Sequence, residues 1–221
     1  SNWSSTGTLD PVLSTGSSYT FTPTTAPSTG TIVAAYDTLT DATGLITVTS
    51  GTLHHLVIRD SLNGGGNEIA NRTITADDTL DLYAAGYDAN NNYLGDYSAD
   101  WVSTGSLDGI SYTGSHLSYE PVKAPASGTI IAQVGSISDG TGTITVTVGA
   151  LEHISINNSS GTGGTAVGAV TLSSGESVTL YTSGYDRDNN YISAIVSNWS
   201  STGTLDPVLS TGSSYTFTPT T

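Results

Sequence analysis

The 221-residue chain contains no cysteine and no methionine, and only four Lys and Arg stand against nineteen Asp and Glu, for a net charge of −15. Each shortage excludes something. Without cysteine there is no disulfide scaffold, thiol nucleophile or thiolate-held zinc. A chain this acidic repels phosphate backbones, so nucleic acid is not an expected partner. No apolar run approaches the roughly 18 residues of a membrane-crossing helix, so this segment is expected not to be transmembrane. No basic region followed by an apolar stretch opens at Ser1, so any secretory signal is expected to be already gone. Helix formers are scarce too: Thr, Ser, Gly and Asn dominate, and all favour other conformations.

What is present is strand composition and a repeat. Trp3, Trp101 and Trp199 lie 98 residues apart. The same offset carries Gly30-Thr31-Ile32 onto Gly128-Thr129-Ile130, Ile46-Thr47-Val48 onto Ile144-Thr145-Val146, and Gly86-Tyr87-Asp88 onto Gly184-Tyr185-Asp186. A fixed period of this length marks an array of similar units, each the size of one small β domain. Ser1–Thr25 and Ser197–Thr221 are identical letter for letter at an offset of 196. Units two apart thus agree more closely than neighbours, which points to a duplicated pair of domains. The acidic residues are spread through both units and form no tail.

Within each unit the apolar period is two. Leu80, Leu82 and Ala84 alternate with Asp81, Tyr83 and Ala85, as do Ile144, Val146 and Val148 with their neighbours. Short alternating runs separated by Gly, Asn, Asp and Ser predict an all-β protein of antiparallel sandwiches. The run Leu53-xx-Leu56-x-Ile58, the strand Thr79–Ala84, the turn Gly86–Tyr93, Asp100-Trp101 with Ser103-Thr104-Gly105, Gly128–Ala132 and Gly142–Val146 follow one another in order. That series resembles the bacterial immunoglobulin-like (Big-type) domains of tandem extracellular arrays. The resemblance implies tandem immunoglobulin-like sandwiches and an extracellular or cell-surface location. On it, residues 1–50 form the C-terminal part of one domain, 51–148 a complete domain, and 149–221 the N-terminal part of another. A continuing chain or a neighbouring subunit is expected to complete the partial ones. Junctions such as Thr47–Leu53 carry no Pro-rich or Gly/Ser-rich linker, which predicts stiff connections between units.

Candidate sites are few. Asp88, Asn90 and Asn92, with Asp186, Asp188 and Asn190 one unit later, offer the oxygen ligands that calcium takes. The glycine and distal glutamate of a helix–loop–helix calcium loop are missing. Asp and Asn also suit a tight turn, the preferred reading, so no cofactor is expected and calcium is the only candidate. His54 and His55 point to opposite faces of one strand, and His55 recurs as His153, which favours packing over metal ligation. Acceptor sequences for N-glycosylation occur at Asn2, Asn71, Asn157, Asn158 and Asn198. Trp3, Trp101 and Trp199 are read as the buried core tryptophan of each sandwich. No strand-to-helix elbow frames a serine nucleophile, and the carboxylate pair Asp77-Asp78 is not repeated one unit on, where Gly175-Glu176 stand. No enzyme is expected. The expected function is a structural segment of an extracellular filament, stalk or cell-surface adhesin, with copies of itself as partners. The alternative is an adhesin module whose loops or tyrosine surface bind a glycan or protein.

Overall fold

The computed structural model describes residues 1–220. Strands alternate their side chains across two faces, and the alternation of Leu80, Leu82 and Ala84 with polar neighbours needs one buried face. The chain supplies it by building sheets throughout. Residues 1–48 carry β1 (Asn2–Ser5), β2 (Leu13–Thr15), β3 (Ser28–Gly30), β4 (Ile32–Tyr36), β5 (Leu39–Ala42) and β6 (Ile46–Val48). They form the antiparallel sheet β2-β1-β4-β5 and the ribbon β3-β6.

Residues 55–147 carry β7 (His55–Arg59), β8 (Arg72–Thr75), β9 (Leu80–Tyr87), β10 (Tyr93–Asp96), β11 (Ala99–Ser103) and β12 (Tyr112–Gly114). They continue with β13 (His116–Tyr119), β14 (Ala126–Gly128), β15 (Ile130–Val134), β16 (Ile137–Gly140) and β17 (Ile144–Thr147). The long β9 is the axis of one sheet. Its second half pairs with β7 on one side and β10 on the other, while its first half pairs with β13. Facing it is the sheet β12-β11-β15-β16. A third ladder runs β14-β17-β8, in which β17 and β8 lie parallel, Ile144 beside Arg72 through Thr147 beside Thr75. The other pairings are antiparallel. The inward residues share one core: Ile58, Leu82, Ala84, Ala99, Ile130, Ala132, Ile144 and Val146 are 0% exposed, and Trp101 1%.

Residues 153–217 carry β18 (His153–Asn157), β19 (Val178–Tyr185), β20 (Tyr191–Ala194), β21 (Ser197–Ser200), β22 (Leu209–Gly212) and β23 (Ser214–Phe217), with one 3-10 turn at Gly161–Gly163. β18, β20 and β23 pair with β19 as β7, β10 and β13 pair with β9. Gly86 and Gly184 sit at matching places in the long strands for a steric reason. A Cβ on Gly86 would lie 2.4 Å from the Tyr97 ring and 2.8 Å from Leu53, and one on Gly184 2.7 Å from both Ile195 and Leu151.

The three tryptophans share one anchor and differ in burial. Each indole N–H donates to a carbonyl thirteen residues on: Trp3 to Gly16, Trp101 to Gly114 and Trp199 to Gly212. Trp101 and Trp199 are buried, at 1% and 7%. Trp3 is only half-buried, which corrects the expectation of a core residue there. Trp3 stacks on Tyr19, but no strand equivalent to β7, β9 or β13 lies over it among residues 1–48.

Candidate functional site: the turns at the unit junctions

The turn after the long strand is where neighbouring units meet. Asp88 ends the β9 run and starts the turn to β10. Its backbone N–H donates to Asn92 O at 3.0 Å, and Asn91 takes φ of 64°, a left-handed conformation that asparagine tolerates. The Asp88 carboxylate is 3% exposed. Oδ1 accepts the N–H groups of Asn90 and Asn92, both at 2.9 Å, and Oδ2 accepts the Gly51 N–H at 2.9 Å. The Asn92 amide Nδ2 donates to both oxygens as well.

Asn92 then reaches into the preceding unit. Its Nδ2 donates to Thr24 O at 2.8 Å, and its Oδ1 accepts the Ala26 N–H at 2.9 Å. The Thr24–Ala26 strip is held from its other side by Asp10, whose Oδ2 accepts the N–H groups of Thr24 and Thr25. One polar chain thus runs from Asp10 through the 24–26 strip and Asn92 to Asp88 and Gly51.

The next junction has the same bonds. Asp186 is 0% exposed; its Oδ1 accepts Asp188 and Asn190 N–H, and its Oδ2 accepts Gly149 N–H at 2.9 Å. Asn190 Nδ2 donates to Val122 O and Asn190 Oδ1 accepts Ala124 N–H, each at 2.9 Å. Asp108 Oδ2 accepts Val122 and Lys123 N–H. Asp77 adds a contact peculiar to this junction, accepting Ala150 N–H at 2.6 Å. In both strips an Ala–Pro peptide is cis, at Ala26-Pro27 and Ala124-Pro125.

The residues singled out from the sequence divide accordingly. Asp88 with Asn92, and Asp186 with Asn190, come together as junction clamps. Their carboxylate oxygens face N–H donors, the opposite of what a cation needs. Asn90 lies outward, and Asp188 meets Arg187 at 3.5 Å on the surface. No group of three or more His, Asp or Glu with metal-holding geometry occurs among the described residues. His55 stacks on Tyr87 and His153 on Tyr185, with ring centroids 5.4 and 5.5 Å apart, and His116 bonds Asp81 at 2.8 Å. Of the glycosylation sequences, Asn2, Asn71, Asn158 and Asn198 are exposed. Asn157 is 1% exposed with Nδ2 donating to the Tyr185 hydroxyl, so a glycan on that nitrogen is incompatible with this fold. Sequence reasoning missed Asp10, Asp108, the strips at 24–26 and 122–124, and the roles of Gly51 and Gly149, and it met Asp77 only as half of a carboxylate pair. The signal was available for Asp10, Asp108 and Asp206, which recur at the 98-residue spacing.

The clamps are electrostatically loaded. Asp88 is held far below the ordinary carboxylate range, chiefly by the Gly51 N–H and then the Asn92 amide. Burial pushes Asp186 up, but bonds from Gly149 and Asn190 overcome it and the net direction is down. Asp10 is lowered to about 2, chiefly by the Thr24 N–H. A folded value below the unfolded value of about 3.9 adds stability that is complete above that value and is lost as pH falls through the folded one. The spacing between units, followed by small-angle scattering, is therefore expected to stay constant from pH 8 to pH 5 and to change only in strong acid. Opening near pH 5 contradicts this assignment.

No family model matches the chain, and no curated protein matches it.

Proposed function

We propose that the chain is a structural segment of an extracellular filament, stalk or cell-surface adhesin, built of immunoglobulin-like sandwiches repeated every 98 residues, whose work is mechanical. The observation that carries this reading is the repeated junction clamp. Asp88–Asn92 and Asp186–Asn190 tie each unit to its neighbour through the same donors, at partners 66 and 68 residues away. A joint fixed in this way sets the geometry between successive units, which is what a mechanical segment requires. The immunoglobulin-like reading is supported by the placement of β7 and β13 beside β9, of β11 beside β15, and of β8 parallel to β17.

The ladders also suit load. Force applied at the two ends of a unit acts on its terminal strands, β7, which is paired with β9, and β17, which lies between β14 and β8, so these ladders must break before the unit opens. Arg72 N–H donates to Thr143 O and Ala76 N–H to Thr147 O at either end of the β8–β17 ladder. Pulled by its termini, residues 51–148 are expected to open in one cooperative step releasing about 30 nm of chain, from ~3.4 Å per extended residue. Gradual low-force extension contradicts a load-bearing role. The aromatic cluster His55, Tyr87 and Tyr93 argues less for a glycan site, since its rings pack on one another and Tyr87 is only 8% exposed.

A further inference from the structure

A glycine-rich loop of the central unit crosses the outer face of its first sheet. After β7 the chain reads Asp60-Ser61-Leu62-Asn63-Gly64-Gly65-Gly66-Asn67-Glu68. Asn63 and Gly64 take φ of 60° and 66°, and the Gly65 N–H donates to Leu62 O at 3.2 Å. The pair therefore forms the centre of a tight turn with both residues left-handed. The turn is strapped to β10. The Asn63 N–H donates to Asp96 Oδ2 at 2.8 Å, and Asp96 Oδ1 accepts the Tyr93 hydroxyl at 2.9 Å. Gly64 lies on the Tyr93 ring: a Cβ there would stand 2.7 Å from the ring and 3.1 Å from the Tyr87 hydroxyl. The loop thus helps to cover Tyr87, which is 8% exposed.

Asn63 is the chain's one asparagine followed by glycine. That pair favours cyclisation, in which the next peptide nitrogen attacks the asparagine Cγ, because glycine has no side chain to hinder the approach. The fold leaves both reacting groups free. Asn63 is exposed, and neither its carboxamide nor the Gly64 N–H makes a hydrogen bond among the described residues. By contrast, the carboxamides of Asn92, Asn157, Asn158 and Asn190 are all bonded.

We propose that Asn63 is a site of spontaneous deamidation that unfastens this loop from the sheet. The Gly64 nitrogen gives its proton to base and bonds to Asn63 Cγ; the Cγ–Nδ2 bond breaks and ammonia leaves. One water then opens the cyclic imide. Opening at Cγ gives aspartate, and opening at the main-chain carbonyl gives isoaspartate, whose backbone runs through Cβ and is one atom longer. Either product adds a carboxylate to a loop already held by Asp96 and by Asp60, whose Oδ1 accepts the Asn67 N–H at 2.8 Å, and like charges repel. The longer backbone also carries the turn's N–H away from Asp96 and uncovers the rings of Tyr93 and Tyr87. The change is confined to one unit of the pair. In residues 149–220 the matching loop has Gly161 at the place of Asn63, with φ of 75° and no carboxamide to cyclise.

Incubating the full chain at mildly alkaline pH and body temperature, with peptide mapping by mass and electron-transfer fragmentation, tests the proposal. The peptide holding Asn63 is expected to gain one mass unit severalfold faster than any other asparagine-bearing peptide, with isoaspartate as the larger product. The gain slows in mild acid, where the Gly64 nitrogen keeps its proton. Hydrogen exchange of the converted chain is expected to rise in residues 60–68 and in β10 while the core strands stay protected. Asn63→Gly keeps the positive φ that Gly161 shows and has nothing to cyclise. It is expected to gain no mass in that peptide and to hold its loop protection through the same incubation. Conversion of Asn63 no faster than that of Asn71 or Asn198 overturns the site. Conversion that leaves exchange in the loop and β10 unchanged, or equal loosening of the Asn63→Gly chain, overturns the unfastening.

Discussion

Trp101→Ala is expected to lower the melting temperature of the central unit by roughly 15–30 °C. Trp101 is 1% exposed and lies among Ile58, Leu82, Ile130 and Ile144. Truncating such a ring loses its transfer free energy and leaves a cavity, at a cost of about 3–5 kcal/mol. A domain of this size shifts by about 4–8 °C per kcal/mol, and its whole stability is about 5–15 kcal/mol. The indole also donates to Gly114 O at 2.8 Å, and alanine leaves that carbonyl without its partner. Trp3→Ala, at the same place in the repeat but half-exposed, is expected to cost about 1 kcal/mol, within the range of partly exposed sites. Differential scanning calorimetry of the two variants separates them. Equal shifts would mean that the burial difference between the first and central units is not real.

Asn92→Ala together with Asn190→Ala is expected to loosen both junctions while leaving the sandwich cores intact. Each asparagine bridges two units through one donor and one acceptor, and removing it strands the Ala26 or Ala124 N–H as well as Thr24 O or Val122 O. At about 1 kcal/mol per bond, each junction loses about 2 kcal/mol, a factor of roughly 30 in the population of open geometries. Small-angle scattering is expected to show a shorter mean extension and the signature of flexibility, while thermal unfolding of the central unit moves by a few degrees at most. A scattering curve identical to that of the unaltered chain shows that the clamps do not set the geometry.

Much of this architecture was legible in the residues, and the reasons it was or was not are physical. The period-two pattern at Leu80, Leu82 and Ala84 marks β9 because burial on one face demands it. The Asp88–Asn92 turn was legible because asparagine accepts positive φ, as at Asn91 and Asn189. The β8 strand was not, since Arg72-Thr73-Ile74-Thr75 offers one apolar residue, Ile74, and its parallel partner lies 72 residues away. The junction clamp was hidden for the same reason: Asn92 meets a strip 66 to 68 residues earlier, and local pattern says nothing about such partners. The twin segments make the limit plainest. Ser18–Phe21 and Ser214–Phe217 have the same letters, and only the second is a strand, because only there does β19 offer a ladder to join.

The most direct test of rigid coupling between units uses the absence of native cysteine. Thr40→Cys and Ser111→Cys place one spin label on an exposed site of each of the first two units, and pulsed electron double resonance reads the distance between them. A single narrow distance distribution, broadened by Asn92→Ala, is the predicted result. A broad distribution in the chain with Asn92 intact would contradict the clamped junction and the mechanical role built on it.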